Sequence, residues 1–245
     1  MNSELKELLD DLARACQILE MEGHGDMSLG HLSLRDPEGR GVWLKRNRIG
    51  LGEVLGADDF VLLNWEGQQI AGTGGRHSEW PIHSEVFRVR SDVQVVAHTH
   101  PIHACVLSAS QDPLFPYTVD ADYFIDVPQH LEEVALIVKV EEGQALAQTM
   151  GDGFAVLMAN HGVTFCGTSI KHATCVGIFL EKACKTQLMG QSAGLRANSL
   201  SRAVRKKRYQ QIMTPVHWDH SWDYFCRKLA WTKVAKAGGQ DSLFA

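Results

Sequence analysis

In the stretch Val95-Val96-Ala97-His98-Thr99-His100-Pro101-Ile102-His103, two imidazoles stand two residues apart. If Val93 to His100 is extended, both rings project from one face, roughly 6–7 Å apart along the strand, which makes half of a metal site. Pro101 cannot continue a ladder, so the pair falls at a strand end, where a site is open to ligands. A third imidazole is then needed. His161 supplies it best, because the apolar run Phe154 to Met158 leads into Ala159-Asn160-His161-Gly162, a turn built on Asn and Gly. Three neutral imidazoles suit zinc, and also manganese, cobalt or iron(II), and leave coordination positions for a substrate. A carboxylate nearby would carry protons: Glu79, at the start of the preceding helix, is the candidate and Glu85 its competitor.

The elements that must position these groups alternate along the chain. Leu5, Leu8, Leu9, Leu12, Cys16 and Leu19 recur at helical spacing from Ser3 until Gly23. A glycine-rich turn then enters an alternating strand through His31 and Ser33, whose polar members face a pocket. Asp36-Pro37-Glu38-Gly39 turns the chain into Val42 to Lys45, and Phe60 to Asn64 and Gln69 to Ala71 follow as strands around Trp65-Glu66-Gly67-Gln68. Ser78-Glu79-Trp80-Pro81 has the form of a helix start, with Ser78 as cap and the helix running to about Val89. Beyond the histidine strand, Ala104 to Ala109 is helical or extended, and 112–128 is an ordered loop. Leu136 to Val140 reads as a strand, Glu142 to Met150 as a helix, and Thr168 or Ser169 as the cap of a long helix to about Met189. The last fifty or so residues read as helical, basic and then aromatic. No repeat or linker divides the chain, so a single domain over 1–245 is expected, with 190–245 an aromatic-rich helical extension. Short strand connections make the sheet mixed and mostly antiparallel, with helices on both faces.

Composition narrows the function. The chain has 245 residues, 44% of them hydrophobic, enough for a sizeable core, and its net charge of −5 disfavours nucleic acid as a partner. The only basic run, Arg205-Lys206-Lys207-Arg208, is one exposed helical turn. Six cysteines without a Cys-x-x-Cys pair read as reduced thiols of a cytoplasmic protein. Neither a signal segment nor a membrane span is legible.

Ser78-Glu79-Trp80, then Val95-Val96-Ala97-His98-Thr99-His100-Pro101, then Asn160-His161-Gly162 resemble, in order and spacing, the class II aldolase/adducin family of fuculose- and ribulose-phosphate aldolases and epimerases. The resemblance runs from about Leu8 to Leu188. It implies an α/β/α three-layer sandwich, one divalent metal per subunit on His98, His100 and His161, Glu79 as catalytic acid/base, and a homotetramer with active sites near subunit interfaces.

The departures from that pattern bear on substrate. Gly30-His31-Leu32-Ser33 stands where phosphosugar aldolases have Gly-Asn-x-Ser, Arg46-Asn47-Arg48-Ile49-Gly50 where they have a Thr-Gly phosphate loop, and His77-Ser78-Glu79 where they have Ser-Ser-Glu. Imidazole and guanidinium have replaced small donors, and a guanidinium fork suits a planar carboxylate. Arg48, His31, His77 and Ser78 are therefore the expected substrate-binding residues, with Arg46 a weaker candidate. The expected activity is metal-dependent decarboxylation of a hydroxylated aromatic, muconic or oxo acid, such as a dihydroxyphthalate-type acid. Aldol cleavage of a short hydroxy-carbonyl or sugar-phosphate compound is the alternative, and a non-catalytic adducin-like scaffold the rival of another class. Among the remaining polar groups, His103 reads as structural and His217 and His220 as an exposed helical pair. Tyr117, Tyr123 and Tyr224 are weak acid/base candidates, and the C-terminal aromatics read as packing against a neighbouring subunit.

Overall fold

The computed structural model describes residues 1–131 and 134–238. Helix α1, Ser3–Leu19, is capped by Asn2, whose side chain accepts from the Leu5 amide, and after a wide turn it ends at Gly23 with φ 94°. Strands β1 (His31–Arg35), β2 (Gly41–Lys45), β3 (Phe60–Asn64) and β4 (Gln69–Ala71) form a meander, followed by α2 (Trp80–Val89), β5 (Val95–Thr99) and α3 (Ile102–Ser108). Strand β6 (Gln129–His130), helix α4 (Val140–Met150), the hairpin β7 (Ala155–Met158) and β8 (Gly162–Gly167), and helices α5 (Ile170–Ser192), α6 (Arg202–Ile212) and α7 (Pro215–Gly238) complete the chain. The expected helical extension is thus described as far as 238, and 239–245 lie outside the described residues.

The strands make one sheet in the order β4-β3-β2-β1-β5-β8-β7-β6, and every described pair is antiparallel except β6 with β7. Side chains alternate along each strand, so the two faces build separate cores. On one face Leu32, Leu34, Val95, Ala97 and Phe165 pack with α1, α5 and α7; on the other Val42, Leu44, Val96 and Val156 pack with α2 and α4. This is the three-layer α/β/α arrangement, with a mixed and mostly antiparallel sheet between helices.

Three local expectations are corrected. Leu136 to Val140 is not a strand, because its backbone donors are taken by carboxylates: Ile137 N–H donates to Glu79, and Val138 and Lys139 N–H both donate to Glu142, which starts α4. Ser78 does not cap α2; the cap position is Glu79, without a side-chain cap bond, and Pro81 is the second helical residue. Of the C-terminal aromatics, Trp222 and Phe225 are buried in this chain's own core and Trp218 stacks on His172 at 4.3 Å, whereas Tyr224 and Trp231 are exposed.

Candidate metal centre

Pairing of β5 with its two neighbours assembles the centre. His98 lies directly opposite His31 of β1 and opposite Thr164 of β8, so the rings of His31 and His98 share the face covered by α2. His100 follows one residue beyond the strand end. His161 arrives from the β7–β8 turn, where Asn160 holds the left-handed conformation at φ 57° that Asn tolerates better than most residues. Gly162 lets the strands close: a Cβ there would sit 2.5 Å from His100 Cδ2 and 2.6 Å from the Thr99 carbonyl. The donor atoms of His98, His100 and His161 consequently lie within 4.8 Å of one another.

The hydrogen bonds around these rings set their tautomers. His98 Nδ1–H donates to the Val163 carbonyl at 3.1 Å and His100 Nδ1–H to the Asp26 carboxylate at 2.9 Å. Both Nε2 atoms are then bare lone pairs, yet they stand 3.0 Å apart. Two lone pairs that close repel in a buried site, and a cation between them removes the conflict; neighbouring ligands ~2.1 Å from one ion have about this spacing. Burial, followed by the neighbouring imidazoles His100 and His161, holds His98 well below the ordinary imidazole range. Burial also lowers His100, with Asp26 opposing it. Neutral rings whose second nitrogen is tied to a carbonyl or carboxylate are what a divalent cation requires.

Glu79, at the N-terminus of α2, faces all of this. Its carboxylate is 3.8 Å from His31 Nε2, 4.0 Å from His98 Nε2 and 3.9 Å from His161 Nε2, and it is only 8% exposed. The Ile137 amide holds one of its oxygens at 3.0 Å. Glu85, the competing carboxylate, is turned to Ser84, Arg88 and Gln144 and is no part of the centre.

Of the four expected substrate-binding residues, His31 and His77 pack towards the centre, Ser78 precedes Glu79, and Arg48 lines a cleft that reaches the centre through His77. His77 packs its ring 4.4 Å from that of His31, and His31 lies 5.1 Å from His98. His77 also lines an open cleft of about 520 Å³ together with Arg48, Ser78, Ser28, Asn47 and Arg76. Burial pushes His77 down to about 4, so it enters the cleft wall as a neutral ring. Arg48 sits at φ 64°, a conformation unusual for a side chain of its size, at the exposed tip of the loop after β2. Arg46 instead pairs with Asp59 at 3.0 Å.

Four contributors, Asp26, Arg76, Lys45 and His83, were not anticipated, and Ser33, expected only to face a pocket, joins them. Asp26 orients His100, and no motif marks it. Arg76 brings a second guanidinium to the cleft, packed 5.5 Å from the Trp80 ring. Lys45, wholly buried, donates to the Ile49 and Arg46 carbonyls and so supports the Arg48 loop, and burial lowers it to about 8. Ser33 and His83 stand behind His31; His83 falls four residues after Glu79, on the same helical face, a signal the sequence does carry. The other polar candidates are occupied elsewhere: His103 is bonded to Glu181, and Tyr123 to His217 at 2.8 Å. Tyr117 donates to the Leu195 carbonyl and Tyr224 is exposed.

Comparison with known proteins gives a consistent result. The sequence profile described as the Class II Aldolase and Adducin N-terminal domain matches residues 10–188. The Meiotically up-regulated gene 14 protein of Schizosaccharomyces pombe is 27% identical over 197 residues, which is 79% of this chain and 76% of that protein. A 3,4-dihydroxyphthalate decarboxylase from Arthrobacter keyseri is 27% identical over 195 residues, 75% of this chain and 78% of its own. Among solved structures, an aldolase II superfamily protein from Pseudomonas syringae superposes with a TM-score of 0.84 at 24% identity, covering 97% of this chain and 96% of that one.

Proposed function

The chain belongs to the class II aldolase and adducin family, and on that premise we propose that it is a divalent-metal-dependent carbon–carbon lyase that decarboxylates a small hydroxylated aromatic, muconic or oxo acid. The observation that carries this reading is the convergence of His98, His100 and His161, with Glu79 facing them, beside a cleft that holds two guanidiniums. His98, His100 and His161 would hold the ion, zinc or manganese by their donor type, with cobalt or iron(II) able to replace it. When bound, a divalent cation there supplies Lewis acidity that stabilises negative charge developing on nearby substrate oxygens.

The chain's own residues do the rest. Arg48 and Arg76 hold the substrate carboxylate through paired N–H donors, and His77 and Ser78 complete the wall of the cleft. His31 lies between the cleft and the centre, where it directs the hydroxylated end of the substrate. The bond from the ring or chain carbon to the carboxylate breaks, CO₂ leaves, and the electron pair remains on carbon. Glu79, in its acid form, gives its proton to that carbon and is recharged from solvent. The relative named 3,4-dihydroxyphthalate decarboxylase supports the choice of substrate class.

Other parts of the proposal rest on the surface and the thiols. A homotetramer is supported by the exposed apolar residues Ile102 and Val106 on one face of α3, immediately after the metal-ligand strand; its mark is sedimentation at the mass of four chains. A cytoplasmic location is supported by the six free cysteines. Among the described residues, no helix is long and apolar enough to cross a membrane.

The test is metal content and turnover on the purified protein, with hydroxylated carboxylates screened for CO₂ release. One ion per chain is expected. His98→Ala should lose both ion and turnover, whereas Glu79→Gln should keep the ion and lose about 100-fold or more in kcat. Aldehyde released without CO₂ would replace decarboxylation by aldol cleavage, and a folded protein that takes up no ion would leave only the scaffold.

A further inference from the structure

Strand β5 carries His98 into the metal centre on one face, so Thr99, the next residue, points to the other, the face that Ala97 and Phe165 share with α1 and α5. There its hydroxyl meets an imidazole from the turn after α1: His24 Nδ1 stands 2.9 Å from Thr99 Oγ1, although 75 residues separate the two in sequence. Both side chains are wholly buried, and the His24 ring also packs edge-on against Phe165 at 5.6 Å. Two buried polar groups of this kind are stable in the interior through the bond between them, and that bond fixes where the chain leaves α1.

Two residues later the chain rounds the end of β5, and Asp26 accepts from His100 Nδ1–H at 2.9 Å. The two bonds run side by side: adjacent residues at the strand end, Thr99 and His100, are gripped by alternate residues of one short segment, His24 and Asp26. The segment continues into the cleft. Leu29 N–H donates to the Asp26 carbonyl at 2.9 Å, Ser28 and Leu29 line the cleft wall, and a Cβ at Gly50 would lie 2.6 Å from the Met27 carbonyl, so the segment also lies against the loop that carries Arg48. The Asp26 side chain is 33% exposed, too open for packing to fix its direction, whereas His24 is 0% exposed.

Building on the metal-dependent reading above, we propose that residues 24–29 form a clasp whose anchor is the His24–Thr99 bond, and that this anchor sets the Asp26 carboxylate on His100 and so aims the remaining His100 lone pair at the ion. His24 and Thr99 are positioning residues that act through Asp26. Because Ser28 and Leu29 belong to the same segment, the clasp fixes the orientation of a metal-binding ring and one wall of the cleft as a single unit.

The experiment reads the full chain both without metal, by side-chain proton–nitrogen correlation spectra of His100, and with metal, by Co²⁺ titration against a chelator. Thr99→Val removes the hydroxyl and keeps the branched shape; Thr99→Ser keeps the hydroxyl. The wild type should show His100 with its proton on Nδ1. Thr99→Val should mix the two tautomers and weaken Co²⁺ binding about 10-fold, and Thr99→Ser should bring both back to within about twofold of the wild type. A double-mutant cycle separates positioning from general loosening of the fold: in an Asp26→Ala background Thr99→Val should cost no further Co²⁺ affinity, because both changes break the same path. Losses that multiply in the double variant, or a Thr99→Val protein with the His100 tautomer and Co²⁺ affinity of the wild type, overturn the clasp and leave the proposed lyase standing. Wild-type protein that takes up no Co²⁺ removes the lyase, while the His100 tautomer, read without metal, still decides the clasp. His24→Leu should match Thr99→Val; should it fail to fold, the two Thr99 variants decide alone.

Discussion

At the level of single residues, most of the centre's chemistry is set by which atom each imidazole gives away. His98 and His100 each donate Nδ1–H to an oxygen, and the remaining nitrogen becomes available for a cation. Arg76 shows the same logic for the cleft, since packing against Trp80 fixes its guanidinium opposite the loop that carries Arg48. Arg76→Ala is therefore expected to raise KM for a carboxylate substrate about 10-fold or more with kcat within a few fold, read from steady-state kinetics; an unchanged KM removes Arg76 from the site. The sequence pointed to His98, His100 and His161 because strand alternation and a turn place them with little reference to the rest of the chain, whereas Glu79 is separated from Glu85 only by the family resemblance. Asp26 escaped notice because its partner His100 is 74 residues away and no local pattern encodes that contact; the contacts of Lys45 with Arg46 and Ile49 and of Arg76 with Trp80 are local, but nothing in their spacing ties them to a site.

At the level of elements, the β5–β8 pairing is the part with least tolerance. Thr99 and Val163 are partners in that ladder, so the Thr99 carbonyl cannot retreat from a side chain added at Gly162. His100 would have to move instead. Gly162→Ala is expected to lower metal affinity about 10- to 100-fold and to cost about 1–3 kcal/mol of stability, measured by chelator competition and by denaturant unfolding. Full metal affinity in that variant would mean that the ring relaxes without loss. The strands and long helices were readable from apolar periodicity, while Leu136 to Val140 was misread for a definite reason. Its apolar composition suits a strand, but Glu79 and Glu142 offer its amides better acceptors than any neighbouring strand does.

For the whole molecule, burial of uncharged imidazoles ties folding to pH. His24 and His172, both outside the metal centre, are pushed down by burial to about 3 and about 4. The unfolded chain binds protons at these rings near pH 6.5, while the folded chain does not, so their contribution is complete above about pH 6.5 and is lost as pH falls towards 4 and 3. Each such group gives a slope of up to about 1.4 kcal/mol per pH unit in that window. The unfolding midpoint of the metal-free protein should accordingly fall steadily from pH 7 to pH 5, and His24→Gln should flatten part of the slope. A midpoint independent of pH over this range would contradict the burial of these rings as neutral species.

The cations around the cleft give the protein an uneven electrostatic surface. The chain carries a net charge of −5, yet Arg48 and Arg76 line one mouth, and the buried ammonium of Lys45 supports the loop that carries Arg48. An organic anion diffusing towards the protein is repelled over much of the surface and drawn in at that mouth, an attraction that dissolved ions damp over about 10 Å at 0.1 M. Raising ionic strength should therefore slow substrate capture, seen as a fall in kcat/KM, while the bound complex turns over at the same speed.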